Sequence, residues 1–307
     1  MPTPPVTVSV VVPTWRRAGL LDATLASLAR CDPPPDEVLV ASDEWDDGSD
    51  AVVARHGARL VDTARLGAAG HRNAGWLEAT GEVVAFIDDD CVADPGWVGA
   101  ISVGFADPAV GLVQGRTCPA GPVGRRDRSI DIPVEYGLYE SCNIAYRRVA
   151  LEAVGGFDET FAERFAGRPF GEDADLAYRV QREGWRTRFA EGAVVRHHVF
   201  PGTLRDAAVE EWRRGYFPKL LRLVPEVERI LPGPHVLRPQ SARAQLLLAG
   251  LVVGLRRPLL GAALAVPYVR WAVRTVGRRA APERAALDLV CSVSMILGSV
   301  RARRILL

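Results

Sequence analysis

Five short apolar, β-branched runs, separated by segments of helical period, restrict this chain to a narrow class of folds. Residues 6–12 (VTVSVVV), 36–42 (DEVLVAS), 58–63 (ARLVDT), 82–87 (EVVAFI) and 111–116 (GLVQGR) each read as a strand. AGLLDATLASLARC follows the first run and AAGHRNAGWLEAT precedes the fourth, both with apolar residues at helical spacing. Strands that are apolar on both faces and joined by helices imply an α/β protein, its mostly parallel central sheet flanked by helices. Such sheets take ligands beyond the carboxyl ends of their strands.

The fourth run ends in Asp88, Asp89 and Asp90. On an extended strand Asp88 and Asp90 share one face and Asp89 takes the other. Two converging carboxylates repel unless a cation lies between them, and no basic residue stands near them in sequence. Hard divalent ions such as Mg²⁺ and Mn²⁺ prefer oxygen ligands and often share them with a substrate phosphate. A solvated acidic turn is the plainer alternative.

At 307 residues and 48% hydrophobic composition the chain is long enough for a large core, which excludes a disordered or fibrous protein. Its five scattered cysteines form no CxxC pair, so neither a disulfide framework nor a zinc knuckle is expected and a reducing compartment fits. The N-terminus has no basic segment before its apolar run, so no signal peptide is read and a cytoplasmic location is expected. The net charge of +1 conceals a division: residues 201–307 carry 18 basic and 7 acidic residues, a balance of +11, against −10 for residues 1–200.

Six ordered blocks carry a resemblance: VSVVVPTWRR, PDEVLVASDEWDDGSD, GAAGHRNAGWLEATGEVVAFIDDD, SCNIAYRRVALEAVGGFDETF, GEDADLAYRVQREGW and AEGAVVRHH. Over about residues 6 to 200 the sequence resembles the inverting family 2 glycosyltransferases, enzymes with a GT-A (Rossmann-like) fold. The resemblance implies a nucleotide-sugar donor, UDP- first with GDP- or dTDP- as alternatives, and Mn²⁺ or Mg²⁺ as cofactor. It places Pro13, Thr14 and Arg16 around the nucleotide, Asp43 on the base, Arg72 on the nucleotide and Asp89 on the ribose or in the fold. It also implies Asp173 as general base with Glu172 orienting, and a metal held by Asp88, Asp90 and His197. Where the family closes its second strand with two aspartates, this chain has Ser42 and Asp43.

Several of these residues have plainer readings. Thr14 could be an ordinary helix N-cap. Glu172 and Asp173 fall in a first helical turn, where carboxylates complement the helix dipole without any catalytic role. His197 and His198 could be surface imidazoles.

From residue 203 the pattern becomes helical and basic, so the expected division is a catalytic domain at 1–202 and a helical region at 203–307. Three uncharged runs, 244–255, 258–269 and 289–300, are 12 residues each, short of the ~20 needed to cross a bilayer. Joining the first two would bury Arg256 and Arg257 at about 2.5–3.5 kcal/mol each, so in-plane helices on an anionic membrane surface are the cheaper solution. The expected protein is a metal-assisted inverting glycosyltransferase, peripheral at the inner face of a cell membrane and acting on a lipid-linked glycan or secondary metabolite, with no nucleic-acid partner. Two alternatives stand beside it: a soluble transferase acting on a polysaccharide or small molecule with a helical cap or dimer interface, and an inactive nucleotide-sugar binding module.

Overall fold

A computed structural model of the 307-residue chain describes residues 6–64, 67–165, 169–233 and 235–306. The chain divides into two units: residues 1–124 with 128–200, and residues 201–307 with 125–127.

The first unit is built on eight strands: β1 (Val8–Pro13), β2 (Glu37–Ser42), β3 (Arg59–Asp62), β4 (Val83–Ile87), β5 (Cys91–Ala93), β6 (Val110–Pro119), β7 (Asn143–Arg147) and β8 (Arg186–His197). Their order is β3-β2-β1-β4-β7-β6-β8-β5. The pairs β1–β2, β1–β4, β2–β3 and β6–β8 are parallel, whereas β7 runs antiparallel to β4 and β6, and β5 antiparallel to β8. The sheet is therefore mixed. Its parallel half is the region read from the N-terminal runs, and β7 and β5 supply the reversals.

Helices α1 (Ala18–Leu28), α2 (Ser49–Arg55), α3 (Gly67–Glu78), α4 (Trp97–Gly104), α5 (Arg148–Val154) and α6 (Glu172–Arg182) flank the sheet. The two-residue period of β1 splits its side chains: Val8, Val10 and Val12 join Leu21, Leu25 and Leu28 of α1 and Trp97 and Ile101 of α4 in one core. Val11 points to the other face, under α3. There Gly75 lets the helix lie against the strand, because a Cβ at that position would come within 2.3 Å of Val11 Cγ1. This close approach brings His71 and Arg72 of α3 to the carboxyl ends of the parallel strands.

The second unit holds α7 (Leu204–Arg213), α8 (Phe217–Leu223), α9 (Ser241–Gly254), α10 (Pro258–Val276) and α11 (Ala281–Ala302). A capping box opens it: Thr203 Oγ1 accepts from Asp206 N at 3.2 Å, and Thr203 N donates to Asp206 Oδ2 at 2.9 Å. The three uncharged runs lie within longer helices than the runs themselves suggest. α10 continues through Arg270 and Arg274, and α11 starts before Arg284 and Asp288, because ion pairs and arginine stems let a helix extend past its apolar stretch. At 22 residues and a mean hydropathy of 1.5, α11 is by length and composition able to cross a membrane; 39% of its apolar window is buried within the protein.

Candidate active site

Pro13 ends β1 and Thr14 follows it, Asp43 follows β2 and the three aspartates follow β4, so the carboxyl ends of three adjacent parallel strands converge. They border a cleft of about 570 Å³ whose lining includes Pro13, Thr14, Trp15, Arg17, Asp43, His71, Arg72, Asp88 and Asp89.

The aspartates do not alternate as strand residues. β4 ends at Ile87 and residues 88–90 turn before β5, so the period of two stops one residue too early to sort them. Asp89 is buried, with Oδ2 accepting from Thr14 Oγ1 at 2.8 Å and Oδ1 from Arg17 Nη1 at 3.2 Å. Asp90 accepts from the same Arg17 nitrogen at 2.8 Å. Asp88 instead accepts from Arg72 Nη2 at 2.6 Å. Burial pushes the Asp89 carboxyl up to about 6, with Arg17 and Thr14 opposing the rise. The countercharge that the sequence lacks near residue 88 thus comes from α3 and from the start of α1.

Arg72 is buried and stacked 5.7 Å from the Phe157 ring, and its Nε has no hydrogen-bond partner. The carboxylates of Asp88, Asp173 and Glu172 hold it firmly protonated against the effect of burial. The adjacent Asn73 is fully used in the framework. It donates to Phe157 O and Glu159 Oε1, each at 2.8 Å, and accepts from Trp76 Nε1 and Phe157 N, each at 2.9 Å. Gly156 sits against it at φ +72°, where a Cβ would lie 2.6 Å from Asn73 Oδ1.

Arg16 departs from its expected place. Its side chain pairs with Glu44 and, at 3.1 Å, with Asp46 on the surface, while Arg17 lines the cleft. Asp43 carries a partner the sequence reading missed: the buried His71 lies with Nε2 2.8 Å from Asp43 Oδ1. Burial lowers the His71 pKa, opposed by Asp43. A neutral imidazole donating from Nε2 fixes one oxygen of Asp43, a residue that lines the cleft.

Glu172 and Asp173 open α6 behind Gly171, which adopts φ +83°. Asp173 accepts from Ser141 Oγ at 2.6 Å and from Ser141 N at 3.3 Å. Burial raises its pKa, opposed first by Arg72 and then by Ser141, while Asp88 adds to the rise. The carboxylate is therefore more basic than an ordinary aspartate, which suits a proton acceptor. Ser141, in the quoted SCNIAY block, carries no outward sign of this role.

β8 ends at His197, directly opposite Cys91 of β5. His197 Nδ1 lies 2.7 Å from the His198 carbonyl oxygen and donates to it, and Nε2 lies 3.5 Å from Asp90 Oδ1. Ligand atoms of Asp90, Cys91 and His197 lie within 4.8 Å of one another. Hydrogen bonding with Cys142 and burial push the Cys91 thiol well above its usual range, so it stays protonated and is a poor donor to a hard ion. The oxygen and nitrogen pair of Asp90 and His197 fits Mn²⁺ or Mg²⁺. Asp88, expected beside them, is not among these clustered ligand atoms and is paired with Arg72.

Residues 9–157 match the family profile described as Glycosyl transferase family 2. The pre-mycofactocin glycosyltransferase of Mycobacterium tuberculosis is 34% identical over 147 residues, which cover 43% of this chain and 30% of the relative. The validoxylamine A glucosyltransferase of Streptomyces hygroscopicus is 29% identical over 222 residues, covering 57% and 48%. An N-acetylglucosaminyltransferase of Rhizobium meliloti is 26% identical over 267 residues, covering 73% and 59%. The chain thus spans between 30% and 59% of the length of these curated relatives. A mannosyltransferase from Pyrobaculum calidifontis, solved in complex with GDP-Man and Mn²⁺, superposes with a TM-score of 0.64 at 23% identity, covering 96% of this chain and 88% of that one. At that identity the likeness establishes the GT-A fold.

Proposed function

Residues 9–157 match the glycosyl transferase family 2 profile, and from that premise we propose that the chain transfers a sugar from a nucleotide-diphosphate donor to an acceptor hydroxyl, inverting the anomeric carbon. One observation supports this above all: a single cleft gathers an acceptor group for a base (Asp43 on His71), two cations (Arg17 and Arg72) and the carboxylates of Asp88 and Asp89. Asp173 lies within electrostatic reach of the same Arg72 and Asp88.

The backbone at Pro13 and Thr14 borders the nucleotide. The free Asp43 oxygen accepts an N–H from the base, which suits the imide of uracil or the N1–H of guanine. Asp89 holds the β1 turn through Thr14, and its remaining capacity faces the ribose. Arg17 and Arg72 exchange an aspartate for a phosphate when the donor enters, since guanidinium binds both. Asp173 then takes the acceptor hydroxyl's proton as that oxygen bonds the anomeric carbon and the bond to the diphosphate oxygen breaks. Glu172 orients the cations around it. Asp90 and His197 would hold a divalent ion, and Asp88 would be a further oxygen donor near it. When bound, Mn²⁺ or Mg²⁺ would offset the charge that builds on the departing diphosphate. The acceptor class proposed is a lipid-linked glycan or a secondary metabolite.

The test is a panel of UDP-, GDP- and dTDP-sugars with Mn²⁺. A true donor at about 100 times its Kd should raise stability by roughly 2.7 kcal/mol, and nucleoside diphosphate release should stop in excess EDTA. Stabilisation with no release on any acceptor would mark a binding module. Full release in EDTA would remove the metal from the mechanism.

A further inference from the structure

The helical unit has more apolar surface than it can cover. Within the three uncharged runs Leu255 is 86% exposed, Leu259 88% and Val300 72%. Poor packing is not the cause. α9 and α10 cross in close contact at glycines, since a Cβ on Gly261 would meet Gly254 Cα at 2.5 Å and Gly250 O at 2.6 Å. The hairpin's own cluster takes in Ala244, Leu247, Tyr268 and Ala272, while Leu255 and Leu259 lie outside it. On α11, Ser294 and Gly298 face the α7–α8 segment: Ser294 Oγ lies 3.4 Å from Glu211 O, and a Cβ on Gly298 would sit 2.0 Å from Gly215 O. Val293, Ile296, Leu297 and Val300, at i, i+3, i+4 and i+7, form a separate exposed stripe on α11.

Charge is distributed just as unevenly. Residues 241–304 carry 11 arginines against two acidic residues, Glu283 and Asp288. Both acids are taken, Glu283 by Arg126 at 2.7 Å and Asp288 by Arg284 and by the Tyr268 hydroxyl, the latter at 2.7 Å. Arg256 and Arg257 sit in the turn between the two exposed leucines, and Arg270, Arg274, Arg278 and Arg279 lie toward the opposite end of α10. None of these six has an ion-pair partner among the described residues.

We propose that the α9–α10 hairpin and the exposed stripe of α11 dock in the plane of an anionic lipid surface, Leu255 and Leu259 entering the acyl boundary while the arginines meet phosphates. Charge selects this occupant. A second copy of the same surface would bring arginines against arginines, whereas anionic headgroups match them. Length selects the in-plane geometry. Each uncharged run of 12 residues is about 18 Å long at 1.5 Å per residue, well short of the ~30 Å bilayer core. α11 is longer, but the α7–α8 segment along it carries Arg213, Arg214 and Lys219, which a spanning α11 would carry into the hydrocarbon. Lying flat, the arginine stems follow the apolar surface and the guanidiniums reach the headgroups. This surface is independent of the catalytic reading.

The full chain should float with vesicles of phosphatidylcholine and phosphatidylglycerol and not with phosphatidylcholine alone, in the absence of any sugar donor. L255E/L259E should lower vesicle affinity at least about tenfold at any salt, with an unchanged melting transition. R256Q/R257Q should lower it at low salt and much less at high salt, and this variant decides the matter if the leucine variant fails to fold. A wild-type chain that ignores anionic vesicles, or one whose binding neither double variant changes, overturns the proposal. So does a wild-type dimer that L255E/L259E dissociates in light scattering without any lipid binding, which would assign the surface to a second copy. Donor-induced stabilisation, measured on the same variants, keeps failure here separate from failure of the transferase reading.

Discussion

Replacing Arg17 with methionine should make the protein bind Mn²⁺ more tightly and a nucleoside diphosphate more weakly. Arg17 Nη1 lies 2.8 Å from Asp90 and 3.2 Å from Asp89, so one guanidinium occupies the Asp90 carboxylate that a metal would use and holds Asp89 beside it. Bare Coulomb attraction at 3 Å and an effective dielectric near 20 would be about 5 kcal/mol. The Arg17 side chain is 45% exposed, however, and pairs open to solvent contribute only about 0.2–1 kcal/mol each. Two such contacts give roughly 0.4–2 kcal/mol, which is about 2- to 30-fold in affinity. The Arg17 guanidinium carbon lies 5.5 Å from the centre of the Phe200 ring, and methionine offers that ring a polarisable thioether in place of the charge. Titration of Mn²⁺ into donor-free protein, followed by paramagnetic resonance or calorimetry, reads the change directly. A folded R17M that binds Mn²⁺ no better than wild type, or worse, would show that Arg17 does not compete with the ion.

Asp173 must be ionised to accept a proton, and burial raises its pKa, so transfer should increase with pH through a limb lying above the ordinary aspartate value of about 3.9. Asp173→Asn should lower transfer by about 10²–10⁴, while Ser141→Ala, which removes a hydrogen bond to the charged form, should move the limb upward; an unmoved limb would sever the link. Asn73→Ala leaves the buried Phe157 N–H and Trp76 Nε1–H without their acceptor and should cost about 2–4 kcal/mol in urea unfolding; a loss under about 0.5 kcal/mol would mean that water replaces the amide.

The sequence made the parallel half of the sheet readable because β1, β2 and β4 are apolar on both faces, and only a covered sheet tolerates that. β7 and β5 were less readable: the SCNIAY block was noticed as a motif without a strand direction, and β5 is three residues long. The site shows a similar divide. Asp173 and His197 stood in recognisable blocks, but Arg17, His71 and Ser141 act through partners 32 to 73 positions away for Arg17 and Ser141 and 28 for His71. A lone arginine or serine carries no mark of such a pairing. Arg17 had a faint signal in the doublet WRR, where the backbone decides which arginine faces inward. Arg16 takes φ +52° and turns outward, and Arg17 follows at the start of α1.

The seat of Asp90 and His197 is fixed by main-chain bonds. His198 N donates to Asp90 O at 2.8 Å, Ala120 N donates to His197 O at 2.8 Å, and Cys91 pairs with His197 across β5 and β8. None of these bonds depends on what the side chains are. The frame can therefore outlive its chemistry: a lineage could exchange either ligand, fall silent or adopt another ion, and still inherit the same backbone positions from which the activity could be rebuilt.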